Sequence, residues 1–242
     1  MRVFGQTDIG NVRKTNQDAY GITKLSDDIF LAVVCDGMGG ANAGNIASAC
    51  AVKQIENYIT HSFRKNTSSD ERITILSNAI LSANIEIYGE SINNPELSGM
   101  GTTVVAAIVD KNSAVICHVG DSRAYLCSEN IVQVTRDHSV IQNLLESGQI
   151  TPDEAKTHPD KNVITRALGV EESVVSDSIV VDFPNDTSLL ICTDGLSNML
   201  SDDEIKITFQ KEDISEVANA LTKAAKANGG VDNITAVVVY NG

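Results

Sequence analysis

The residues best suited to chemistry in this 242-residue chain are aspartates placed where apolar runs end. LAVVCDG (31–37) and LLICTDG (189–195) each drive an apolar run into Asp-Gly, at Asp36 and Asp194. Runs of this length read as buried strands, so each carboxylate belongs at a strand's end, held by the core and facing whatever lies beyond it. Asp121 in GDSR and Asp232 in GGVDNIT end or interrupt such runs in the same way. Singly, each suits an ordinary turn. Together they suit one edge of packed strands, where clustered carboxylates repel each other and resist desolvation unless a cation lies among them. An oxygen-only donor set selects a hard ion, Mg²⁺ or Mn²⁺. His61, His118, His138 and His158 lack the i, i+4 pairing of a zinc site and read as surface or packing residues. Two divalent ions about 3.5–4 Å apart can share one hydroxide and clamp both oxygens of an in-line displacement, which suits phosphoester hydrolysis. Arg13, a few residues ahead of Asp18 in DIGNVRKTNQDAY, could grip phosphate oxygens bidentately, although alone it would read as a solvated arginine.

The elements that must position these residues are mostly strands. TTVVAAIV, AVICHV, RAYL and IVQV, within 102–134, are separated by DKN, GDS and SEN, connections too short for a crossover helix, which predicts antiparallel neighbours. LAVVC, SVVSDSIVV, SLLIC and TAVVVY supply strands for a second sheet. Apolar residues recur at helical spacing at Ile73, Leu76, Ile80, Ala83 and Ile87, and again at Ile214, Val217, Ala218, Leu221 and Ala225. The second stripe opens with Asp213 and Glu216 in capping-box spacing and stops at Gly229-Gly230; a third helix is expected over 44–59. Helices with one greasy side cover a sheet's outer face. The fold class expected is α+β, two packed antiparallel sheets forming a β-sandwich with helices outside. Residues 139–168, polar and partly helical between two strand runs, read as a flap over a site, with an excursion of no function nearly as common an explanation. No repeat, low-complexity tract or linker divides 1–242, so a single domain is expected.

A formal net charge of −14 with no basic patch argues against nucleic acid and anionic membranes as partners. The first residues, MRVFGQTDIG, turn polar before a signal-peptide core could form, and no apolar run nears the ~20 residues of a membrane span. A cytoplasmic protein is expected. Five cysteines, an odd count without C-x-x-C, read as reduced core thiols.

TDIGNVRKTNQDA, DGMGG, GMGTT, GDSRAYL, TRDHS, TRALG, TDGL and DNIT follow one another in an order and spacing that resembles the metal-dependent Ser/Thr protein phosphatases of the phosphatase 2C type, in their bacterial form. The resemblance spans nearly the whole chain. It implies a β-sandwich flanked by helices, two Mn²⁺ or Mg²⁺ ions with a possible third, and attack on phosphoserine and phosphothreonine by a hydroxide held between metals. Carried over by position, Asp36 would bridge the two ions with the Gly37 carbonyl completing one, Asp194 and Asp232 would hold the other, and Asp121 with Asp194 would bind a third. Arg13 would bind phosphate, Asp18 would order water, and Gln17 and Asn233 would stand behind the ligands. The partners implied are phosphorylated proteins, including those of a bacterial Ser/Thr kinase, and a monomer is expected. Gln17 stands where many relatives carry Glu, Met38 where eukaryotic members carry a histidine, and Lys161 where an arginine is frequent. Two rivals remain in view. CHVGDSR, Cys117 to Arg123, has the C-x5-R spacing of cysteine-dependent phosphatases, but Asp121 would place an anion in the phosphate loop. A catalytically inactive phosphoprotein-binding module of the same fold would show lost metal ligands, and none is lost here.

Overall fold

A computed structural model describes residues 1–40 and 43–242. The first third of the chain forms β1 (Arg2–Asp8), β2 (Asp18–Ser26), β3 (Ile29–Met38), α1 (Ala43–Ser62) and α2 (Ser69–Asn93). The middle forms β4 (Gly101–Thr102), β5 (Val104–Val109), β6 (Ser113–Val119), β7 (Arg123–Cys127), β8 (Ile131–Gln133), α3 (Val140–Glu146) and α4 (Pro152–Ala155). The last third forms β9 (Asp177–Asp182), β10 (Thr187–Cys192), α5 (Asp194–Ser197), α6 (Asp202–Lys211), α7 (Val217–Ala227) and β11 (Ile234–Asn241). One antiparallel sheet has the order β1-β11-β10-β7-β8; the other runs β2-β3-β5-β6-β9, with β4 paired to β3.

Three apolar clusters account for the layering. Ala32, Val34, Ile116, Leu189, Ile191, Val237 and Val239 fill the space between the sheets. Their sequence neighbours point the other way: Leu31, Val33 and Cys35 pack under α1 and α2, and Leu190, Cys192 and Val238 under the α7 side. Strands covered on both faces have no polar alternation to show, which is why LAVVC and LLIC are unbroken apolar runs. Helices therefore flank the expected sandwich on both outer faces.

Three local expectations change. GDS does not close a hairpin: β6 and β7 lie in different sheets, and these three residues carry the chain across the sandwich. A connection that short is compatible with either route, and burial of both flanking strands decides for the crossing. Asp213 and Glu216 form no capping box, since Asp213 instead accepts from Ser215 N–H and Oγ and the helix begins at Val217. SVVSDSIVV is strand only from Asp177 onward, within β9 (Asp177–Asp182). The stripe at 73–87 lies on α2, where Ser68 and Glu71 do form a capping box. Among the described residues the five cysteines are free thiols, four of them buried, and no helix is long and apolar enough to cross a membrane.

Candidate metal centre

Parity along the strands carries the acids to one place. In β3, Ala32 and Val34 face between the sheets, so Asp36 continues the same face to the sandwich's edge. In β2, Tyr20 and Ile22 face inward, and Asp18 follows them; the β2–β3 register sets Asp18 directly opposite Asp36. Asp121 sits in the crossing between the sheets, Asp194 opens α5 at the end of β10, and Asp232 precedes β11. Asp36, Asp121, Asp194 and Asp232 line a single cleft of about 260 Å³, with Arg13, Gln17, Gly37 and Asn233 around it.

The backbone beneath them is tightly bound. Asp36 N–H donates to Thr103 Oγ1 at 3.0 Å, while Thr103 N–H and Thr102 Oγ1 donate to Asp36 O at 2.8 and 2.9 Å. Thr103 Oγ1 lies 2.7 Å from Ser122 Oγ, tying the Asp36 strand to the Asp121 crossing. Gly37 N–H donates to Gln17 O at 3.0 Å, and a Cβ on Gly37 would collide with the Gly44 carbonyl in the first turn of α1. Only glycine lets that helix approach the strand so closely. A Cβ on Gly195 would likewise strike the Asn233 carbonyl, which explains the glycine after Asp194.

Asp18 accepts from Thr193 Oγ1 at 2.8 Å and Thr235 Oγ1 at 2.7 Å through Oδ2 alone. Its Oδ1, like Asp194 Oδ1, is buried without a hydrogen-bond partner among the described residues. Asn233 N–H donates to Asp232 Oδ1 at 2.8 Å. Its side chain donates to the Ile9 and Thr15 carbonyls at 2.9 and 3.1 Å and accepts from Gln17 N–H at 2.8 Å, stapling the loop that bears Arg13. Arg13 itself donates to Asp232 Oδ2 at 2.6 Å. The Gln17 amide reaches Gly40 O at 3.4 Å.

The electrostatics are those of buried acids crowded together. Burial, followed by the charges of Asp18 and Asp194, holds the Asp36 carboxyl well above the ordinary carboxylate range. Burial likewise pushes Asp18 up to about 7, partly offset by its two threonine bonds, and Asp121 up to about 7 with Asp194 adding repulsion. Asp194 is raised for the same leading reason. Oxygen donors only, buried free lone pairs and mutual repulsion fit hard divalent cations.

Several contributors carry no obvious sequence signal. Thr103, Ser122, Thr193 and Thr235 act through hydroxyls whose partners lie far off in sequence. Arg123 binds Asp137 through Nε and Nη2 at 2.7–3.0 Å, so GDSR and TRDHS are one paired unit. Asn162 and Ile164, from segment 139–168, also line the cleft, and Lys161 lines a neighbouring one of about 430 Å³ that shares Asp121, Asp194 and Asp232. His118 and His138, expected at the surface or in packing, are both buried and stacked, with ring centroids 4.8 Å apart. The C-x5-R rival fails on geometry: Cys117 Sγ faces Ser77 Oγ at 3.7 Å on the helix side, away from Arg123.

Comparison with known proteins identifies the family. A family model described as protein phosphatase 2C matches residues 11–233. The chain is 40% identical to the serine/threonine phosphatase stp of Listeria monocytogenes, over 99% of this chain and 95% of that protein. It matches the crystal structure of a bacterial serine phosphatase with a TM-score of 0.93 and 36% identity, covering 100% of this chain and 98% of that one. It also matches the catalytic domain of the serine threonine protein phosphatase PstP in complex with two manganese ions, with a TM-score of 0.85 and 31% identity over 98% of this chain and 96% of that one. The chain belongs to the protein phosphatase 2C family.

Proposed function

We propose that the protein hydrolyses phosphoserine and phosphothreonine in phosphorylated proteins at a centre of two divalent cations, Mn²⁺ or Mg²⁺, with a third held through Asp121. The observation that carries this reading is the convergence of four carboxylates from distant parts of the chain on one cleft, where they are bearable together only beside positive charge. Asp36, the Gly37 carbonyl, Asp194 and Asp232 would hold the two ions, and Asp121 with Asp194 the third. Cations bound there supply a nucleophile from water near neutral pH and offset the charge of the phosphate.

The chain's own groups do the rest. Arg13, on a loop stapled by Asn233, is half exposed and positioned to exchange Asp232 for phosphate oxygens, leaving Asp232 to a cation. Asp18, with Oδ2 fixed by two threonines and Oδ1 free, accepts a hydrogen bond from water in the cleft and sets its orientation. Gln17 stands behind the cluster as a neutral residue and leaves its total charge lower than a glutamate would. Segment 139–168 serves as a flap whose Asn162 and Lys161 border the groove where a substrate's flanking residues would lie. A cleft this small receives a phosphorylated side chain, leaving the rest of the substrate outside.

A single domain over 1–242, a monomeric cytoplasmic protein and opposition to a bacterial Ser/Thr kinase complete the reading, supported by the relatives' names and by an acidic composition unsuited to nucleic acid or anionic membrane. An inactive phosphoprotein-binding module is disfavoured because every candidate ligand is present. The test is dephosphorylation of phosphothreonine and phosphotyrosine peptides across a manganese titration, with Asp36→Asn as control. Turnover that needs manganese and is lost in the variant is expected; metal-independent turnover, or none, refutes the proposal.

A further inference from the structure

Behind the carboxylates, His138 joins three parts of the molecule that border the cleft. Its backbone N–H donates to Gly120 O at 2.9 Å, and its ring Nδ1 lies 3.1 Å from Gly120 N, so both polar groups of Gly120 are held by one residue. Gly120 immediately precedes Asp121, adopts φ of +105°, and has its Cβ position filled by Thr103 side-chain atoms at 2.6 and 2.7 Å. The His138 carbonyl accepts from Thr165 N–H at 2.8 Å, Ser139 pairs with Ile164, and Val140 N–H donates to Val163 O at 2.9 Å. The same residue thus borders the Asp121 crossing on one side and the returning end of the flap at 163–165, with cleft-lining Ile164, on the other. On its far edge, His138 Nε2 faces Asp177 Oδ2 at 3.3 Å, and Asp177 Oδ1 accepts from Arg166 at 2.8 Å.

These contacts fix the ring's proton. A backbone N–H can only donate, so Nδ1 must offer its lone pair to Gly120, and the single proton of a neutral imidazole then sits on Nε2, which is buried 3.3 Å from Asp177 Oδ2 without a formed hydrogen bond. Burial holds His138 below the ordinary histidine range, in keeping with a neutral ring. The same reasoning removes a competing interpretation. His118, His138 and Asp177 have ligand atoms within 4.8 Å of one another, a spacing that could admit a metal ion. A metal on Nε2 would need a second lone pair on a ring that has already given its only one to Gly120.

We propose that His138, fixed as the Nε2–H tautomer, is a positioning residue that ties the Asp121 crossing to the returning end of the flap at 163–165, so that the carboxylate for the third cation and the wall of the cleft keep one relative position. This rests on the metal-centre reading above.

Two measurements test it. In ¹⁵N NMR of the wild-type protein near neutral pH with Mg²⁺, His138 should show a protonated Nε2 and an unprotonated Nδ1, with coupling across the hydrogen bond to Gly120 N. An Nδ1–H tautomer or an imidazolium overturns the proposal without recourse to any variant. Manganese isotherms then compare wild type, Asp121→Asn, His138→Leu and His138→Asn. Asp121→Asn defines the binding step that depends on Asp121. His138→Leu, which lacks the acceptor, should weaken that step by about 10-fold, the lower end for loss of an outer-layer partner of a metal site, and leave the remaining binding unchanged. His138→Asn, whose Oδ1 can accept from Gly120 N–H, should recover most of the loss. An unaltered His138→Leu isotherm, or a His138→Asn variant as defective as His138→Leu, overturns this inference alone; absence of manganese binding in the wild type overturns the metal centre with it. Should His138→Leu fail to fold, the wild-type spectrum and the Asn variant decide.

Discussion

Asp36 owes its role to its place in an alternation. One residue earlier the side chain would sit under α1 with Cys35; at position 36 it faces the edge between the sheets, opposite Asp18. Its backbone is held on both sides by Thr102 and Thr103, so the carboxylate is aimed before any cation arrives. Loss of an outer-layer partner of a metal site costs about 10–100-fold, so Asp36→Asn, which removes a ligand charge, should lower kcat/KM by more than about 100-fold. Steady-state assays at saturating manganese check this, and near wild-type turnover would show that the bridge lies elsewhere. Arg13 acts differently. Paired with Asp232 at 2.6 Å, it would, in the proposed mechanism, grip the substrate's phosphate before and during reaction. Arg13→Ala should therefore raise KM for phosphopeptides with a smaller change in kcat; a change confined to kcat would contradict a ground-state grip.

At the scale of elements, the strands exist to bring these residues together, and the connections decide how well. Thr103, the residue between β4 and β5, links Asp36 N–H to Ser122 and so joins two ligand-bearing segments from different sheets. Thr103→Val keeps the shape but leaves buried partners unmatched, which should cost about 1–3 kcal/mol of stability. Denaturant melts would measure that cost, and activity should fall with it because Asp36 loses its restraint; a fully stable, fully active variant would show that the link is dispensable. Much of this level is legible in sequence because burial on both faces leaves unbroken apolar runs at β3, β5, β10 and β11, and α2 shows a clean stripe. The edge strands β1 and β2 escape notice, since RVFGQTD and DAYGITKLS are only part-buried and carry no such run. Helix α6 escapes too, because Ile205 is its sole buried residue, although Ser201 and Glu204 form the capping box that Asp213 and Glu216 do not. The acids are legible because aspartate after an apolar run is conspicuous. The hydroxyls of Thr103, Ser122, Thr193 and Thr235 are not, because a threonine beside a strand looks the same whether or not a distant partner awaits it.

Across the whole molecule, the acid cluster is a liability that a cation would, in the proposed reading, convert into stability. Asp18 and Asp121 titrate near 7 in the folded, metal-free protein against an ordinary 3.8, chiefly because they are buried. Between those values Asp18 and Asp121, with the likewise raised Asp36 and Asp194, hold protons that the unfolded chain has released, against the two that buried His118 and His138 give up, so this stability is complete below the ordinary carboxylate pKa and is lost as pH rises through about 7. Carboxyls lowered by partners, such as Asp110 beside Arg72, act below this window. The melting temperature of metal-free protein should therefore fall between about pH 4 and pH 7, and manganese should raise it more near pH 7.5 than near pH 5.5. Calorimetry at constant ionic strength reads both effects; a metal-free melting temperature that is flat or rises over this range would contradict them. The most direct measurement is an anomalous-difference map from crystals grown with manganese. Two strong peaks among the carboxylates of Asp36, Asp194 and Asp232, with a weaker one beside Asp121, are predicted. Density for four intact carboxylates with no anomalous signal between them would contradict the account at its foundation.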